Sequence, residues 1–282
     1  MYRNWVKPKL PLRYAIVFLL TCGAGLYVSE KTKVQTKHIN FDRQVEAAHI
    51  MKESLREVKA HREAKHIPLN REFDVNETGI IGEAFTPLTT SVGDIAAKRT
   101  ATNPAFAALM VRLFSEAGLT SGDVVAIGAS GSFPSLILAT LSAANVMQLR
   151  PLLIYSLGSS MYGANIPEFT FIDMLSVLNN KGLLPYEPIA FSLGGGNDRA
   201  DALLDDSQRA IFFEVAESTE IPLIYENSVS ASMKRRIELY EGAAAGHPIR
   251  CFVNIGGATA NYGKTAASLK IPNGLVTGKT PL

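Results

Sequence analysis

The 282 residues are 47% hydrophobic and 19% charged, and 28 Lys and Arg against 26 Asp and Glu leave a net charge of +2. So even a balance gives no basic field for nucleic acid, and the length suits one α/β domain plus an accessory segment. Cys22 and Cys251 are the two cysteines, the first in an apolar run and the second in a predicted central strand, so no disulfide framework is expected.

Arg3, Lys7, Lys9 and Arg13 precede the uncharged run YAIVFLLTCGAGLYVS at 14–29. With Leu10 to Leu12 and a snorkelling Arg13, this gives about the 20 residues that cross a bilayer. Residues 10–29 are therefore predicted to be a transmembrane anchor after a cytoplasmic segment 1–9. A cleaved signal peptide is the competing reading, because small residues follow at 23–25. Against it, Leu26, Tyr27 and Val28 extend the apolar run, and Thr21 before Cys22 fits a lipoprotein cleavage site poorly. The leading charges predict an N-terminus in the cytoplasm and a single-pass chain whose main domain is exported, a bias that Lys31, Lys33 and Lys37 oppose.

In the juxtamembrane stretch 30–75, Phe41, Val45, Ala48, Met51, Leu55 and Val58 recur at helical spacing. They predict one amphipathic helix, either a stalk for a partner helix or an element packed on the following domain. His38, His49, His61 and His66 lack the four-residue repeat that places two imidazoles on one helix face, so no metal site is expected. Residues 76–104 (NETGIIGEAFTPLTTSVGDIAAKRTATNP) read as loop and cap chemistry, with Asn103 capping a helix over 104–117 whose first residue is Pro104.

From there five apolar runs alternate with helical stretches: 123–129, 151–157, 188–193, 221–225 and 249–255 as strands, and 133–145, 167–180, 202–220 and 228–242 as helices. The pattern predicts a doubly wound, mostly parallel, Rossmann-like α/β domain of five to six strands over 76–282. Ligands of such sheets bind outside the strand carboxyl ends. The loops there hold Ser130, Gly131 and Ser132, then Ser159, then Gly195, Gly196, Asn197 and Asp198, then Glu226, then Gly256 and Gly257. Glycine backbones and helix N-termini suit an anion such as phosphate or carboxylate, although each loop taken singly also reads as a turn or cap.

Ser130, at a strand-to-helix turn, is the best catalytic candidate. Its motif has Ser132 where a nucleophile elbow has its second glycine, and His247 is expected at the opposite end of the sheet. A Ser-His-Asp hydrolase within this domain is therefore not expected, and whether the chain is an enzyme stays open. Asp198 and Glu226 could hold a metal or act as acid and base, or simply cap and solvate; Lys98 and Arg99 could neutralise a carboxylate, or lie on the surface. The GGGND run at 194–198 is neither a GxGxxG fingerprint nor a P-loop, so no nucleotide cofactor is expected.

The stretch TGIIGEAFTPLTTSVGDIAAKRTATNP at 78–104, IGASGSFP at 127–134 and the N-terminal anchor resemble the poly-gamma-glutamate system proteins, found beside the bacterial genes for synthesis and export of that polymer. The resemblance covers nearly the whole chain and implies a membrane-associated role in making, exporting or trimming γ-linked glutamate. The polymer, or the subunits that synthesise and export it, would be the partner. It implies no catalytic residues, and it leads one to expect members that continue past Leu282. Three roles are compatible with it: an accessory protein binding polymer carboxylates at the glycine-rich loops, a γ-glutamyl hydrolase or transferase, and a non-catalytic scaffold for the synthase.

Overall fold

The computed structural model describes residues 11–34, 37–201, 206–263, 268 and 270–278. The predicted cytoplasmic segment 1–9, Leu10 of the predicted span and the start of the predicted helix at 202 lie outside the described residues. Two compact units divide the chain, residues 1–39 and 40–282.

The first unit contains helix α1 (Leu12–Thr32), whose 21 residues include no buried one. At 1.5 Å per residue it is about 32 Å long, and its best 18-residue window has a mean hydropathy of 1.5. Among the described residues it is the one helix long and apolar enough to cross a membrane.

The second unit is an α/β domain. Its main sheet holds β2 (Val124–Ser130), β3 (Arg150–Ser156), β5 (Pro188–Ser192), β6 (Leu223–Ile224) and β7 (Ile249–Ile255), all parallel in the order β6-β5-β3-β2-β7. The chain builds outward from β2 to β6, then returns to place β7 on the other side of β2. Right-handed crossovers therefore put α5 (Pro134–Val146), α6 (Phe171–Asn180) and α7 (Asp206–Glu217) on one face and α8 (Val229–Ala244) on the other. The period-two alternation of β2 serves both faces: Val125, Ile127 and Ala129 join the larger core, while Val124 and Ala126 join a smaller one with Tyr240 and Ala244 of α8. The strand positions match the periodic runs closely. Cys251, expected in a central strand, lies instead on β7 at the edge of the sheet, because the return crossover ends there.

The larger face is covered twice. Helix α2 (Phe41–Ala64) packs against α4 (Ala105–Glu116), α5 and α6. Buried from both sides, α5 has no polar stripe; ten of its 13 residues are inaccessible. The buried stripe of α2 runs Ala47, Met51, Ser54, Leu55, Val58 and Arg62, whereas Phe41 and Val45, expected on it, are exposed. The packing seam begins one and a half turns later than the hydrophobic spacing and ends on a charge. The two terminal nitrogens of Arg62 meet carbonyls there, donating to Gly79 O at 3.1 Å, Ile81 O at 2.6 Å and Pro68 O at 2.7 Å. Helix α6 starts later than predicted, at Phe171, where Thr170 and Asp173 form a capping box.

Candidate functional site

Residues 76–104 form a strap over the carboxyl ends of the central strands. The strap enters on Ile80 and Ile81, both buried, and its short strand β1 (Thr89–Ser91) pairs in parallel with β4 (Ser159–Ser160), just after β3. Asn165, fully buried, ties it down: its Oδ1 accepts from Glu83 N–H at 3.0 Å and its Nδ2 donates to Glu83 O at 2.8 Å and Thr89 Oγ1 at 2.9 Å. Gly82 is needed for this close approach, since a Cβ there would stand 2.1 Å from Asn165 Oδ1.

Helix α3 (Ile95–Ala101) follows within the strap and splits the two cations expected to act together. Lys98 is 3% exposed, not on the surface. Its Nζ donates to the Ser132 carbonyl and, at 2.8 Å, to Ser160 Oγ, and it sits 3.6 Å from the centroid of the Phe133 ring. Burial pushes the Lys98 ammonium down to about 8, against a partial counter-effect of Asp94. Arg99 turns the other way, donating to the carbonyls of Phe73 and Glu72, and lines a separate cleft of about 900 Å³ with Lys52, Arg56 and Lys59.

A row of hydroxyls crosses the strand ends, because the register sets Ser130 beside Ser156 and Ser156 beside Ser192. Arg236 reaches this row from α8, donating to Ser156 Oγ at 3.0 Å and Ser192 Oγ at 2.7 Å. It also pairs with Asp198 at 3.0 Å, both side chains almost wholly inaccessible. Asp198 further accepts from the Ser192 and Ser232 hydroxyls. It is therefore not a helix cap but the anchor that holds the loop 193–201 to α8, and its charge is already met.

At the topological switch point between β2 and β7, Gly256 adopts a φ of +84° and packs on Ser130, whose Oγ would lie 2.3 Å from an added Cβ. Gly257 beside it is exposed, with nothing within 4 Å of where a Cβ would be. Helix α5 starts here at Pro134 with no side-chain cap on its N-terminus; Pro134 has no N–H and Leu136 and Ile137 donate to the Phe133 carbonyl, which leaves the buried Ser135 N–H as the free donor of the first turn.

No protein-family model, curated protein or solved structure matches this chain. The assignment of a site thus rests on geometry. Ser130, Gly131, Ser132, Ser159, Gly256 and Gly257 gather around the β2 end; Gly131 N–H donates to Ser156 O at 2.9 Å, and Ser159 Oγ donates to Ser160 O at 2.8 Å. Gly195 packs instead on Thr90 of the strap, Gly196 bridges to Asp201, and Asn197 faces solvent. Glu226 contributes its carbonyl, which accepts from Arg199 at 3.3 Å. The nearest recorded partner of Ser130 Oγ is Ser132 N–H at 3.4 Å. His247 precedes β7, whose start pairs with Val124, so it stands about 20 Å of strand away from Ser130. Among the described residues no cluster of three or more His, Cys, Asp or Glu is placed to hold a metal.

The sequence places Ser160 in the rim loop 158–160 but does not show its contact with Lys98, and it does not show Arg236 as a rim residue at all. The repeated Ser159-Ser160 offered a weak signal for Ser160. Arg236 stands in the run MKRRIE, which reads as a solvated helix face, and only the spacing of Val229, Ser232, Arg236 and Tyr240 shows that it lies on the buried stripe.

Proposed function

We propose that this chain is a membrane-anchored accessory protein of poly-gamma-glutamate production or export, whose α/β domain binds polymer carboxylates at the switch-point rim. The observation that carries the reading is the exposed Gly257 loop at the switch point, close to the start of α5, where the helix dipole favours an anion. The resemblance of 78–104 and 127–134 supplies the identity of that anion. In this reading α1 is a single-pass anchor with its N-terminus in the cytoplasm, and the domain is exported beside the subunits that make the polymer.

Gly257 gives a clean test, because an added side chain meets no protein atom and its φ lies outside the range that L residues avoid. Full-length protein in detergent, titrated with poly-gamma-glutamate, is expected to bind, and Gly257→Asp is expected to weaken binding about tenfold, equivalent to about 1.4 kcal/mol. Equal affinities for the two proteins would remove the rim from consideration.

A further inference from the structure

A buried lysine next to a serine hydroxyl is unusual when no carboxylate neutralises it. Lys98 Nζ has no carboxylate within ion-pair distance among the described residues, and its neighbour Asp94 is engaged as the cap of α3, accepting from Ala97 N–H at 3.0 Å. The amine lies against the Ser132 carbonyl just before α5, where the helix dipole opposes a positive charge. Desolvation and dipole both favour the neutral amine, the form that accepts a proton. A lysine held only for structure would normally be given an acidic partner or left to snorkel.

The hydroxyls around it are not equivalent. Ser156 and Ser159 are fully inaccessible, while Ser160 and Ser132 retain 7% and 8% of their surface. Ser160 Oγ is the one at hydrogen-bond distance from Lys98 Nζ, and Ser160 N–H donates to Ser132 Oγ at 3.0 Å, which fixes the backbone of the first serine against the second. A nucleophile and a base 2.8 Å from it are the central parts of an acyl-transfer site that needs no histidine.

We propose that Ser160 and Lys98 form a nucleophile and general-base pair acting on the carbonyl of an amide or ester. Lys98 Nζ takes the hydroxyl proton as Ser160 Oγ bonds to the carbonyl carbon. The ammonium so formed returns that proton to the leaving amine or alcohol as the bond from the carbonyl carbon breaks. Water or an incoming amine then opens the acyl-Ser160 ester, and Lys98 carries the proton of this second nucleophile back to Oγ. This goes beyond polymer binding and does not depend on it.

The test uses full-length protein in detergent and a fluorophosphonate probe, with the modified peptide located by mass spectrometry. A single adduct on Ser160 is expected, rising about tenfold between pH 7 and pH 9 as Lys98 loses its proton, lost in Ser160→Ala and reduced at least tenfold in Lys98→Met. Thermal melting checks that both variants fold; if either does not, the pH profile of the unmodified protein decides. No adduct at any pH, an adduct on Ser130 or Ser132 instead, or labelling of Ser160 that ignores both pH and Lys98 would each overturn the pair. None of these readouts involves the polymer, so the fate of the binding proposal is decided separately by Gly257→Asp.

Discussion

Two buried cations at neighbouring strand ends are handled in opposite ways. Arg236 is given a carboxylate, that of Asp198, and the hydroxyls of Ser156 and Ser192. Removing it leaves Asp198 charged and buried, which costs far more than the net worth of the pair. Arg236→Met is therefore expected to lose about 3–5 kcal/mol in denaturant unfolding, and adding Asp198→Asn should restore a large part of it. Lys98 has no such partner, and its depressed value near 8 makes stability depend on pH. The unfolded lysine titrates near 10.5, so between those limits the unfolded state binds the extra proton and stability rises with pH. The penalty is complete below pH 8, amounts to about 3 kcal/mol and disappears above 10.5. The difference in unfolding free energy between the protein and Lys98→Met should shrink across that window; a difference flat with pH would mean that the amine is not desolvated.

Single elements differ in how openly their sequence declares them. Strand β2 is buried on both faces, so its run of apolar residues is continuous, and α5 likewise. Helix α2 is less direct. Its apolar spacing begins at Phe41, but the surface it packs on begins near Ala47, and the stripe finishes on Arg62, two of whose acceptors come from a loop 17 and 19 residues away. Met51→Ala is accordingly expected to cost about 2–5 kcal/mol and Val45→Ala less than about 0.5 kcal/mol, a contrast that chemical denaturation measures directly. Equal costs would mean that the first turns of α2 are packed after all.

For the whole molecule, the alternation of strand and helix made the doubly wound sheet legible, and with it the end of the sheet where loops converge. The grouping within that rim was not legible. Gly195 and Asp198 look like ligand-binding loop residues, yet one packs on Thr90 and the other on Arg236, partners distant in sequence that no local pattern reveals. Conversely, Lys98 and Arg99 look like a pair, but the α-helical turn of α3 sends one beneath the strap and the other to a separate cleft. The glycines of the strap are explained by close packing, Gly82 against Asn165 above all, and this leaves Gly257, beside the buried start of α5, as the exposed glycine of the rim. Helix α1 makes its own prediction at this scale: the full chain should remain with membranes on alkaline extraction, and deletion of 12–32 should release it.

Hydrogen exchange with and without poly-gamma-glutamate tests the central claim most directly, because it reports on every backbone N–H at once. Binding at the rim predicts slowed exchange at 130–136 and 255–259, with the cleft that Arg99 lines unaffected. Protection confined to α2 and residues 75–78 around that cleft, or no protection anywhere, would contradict it.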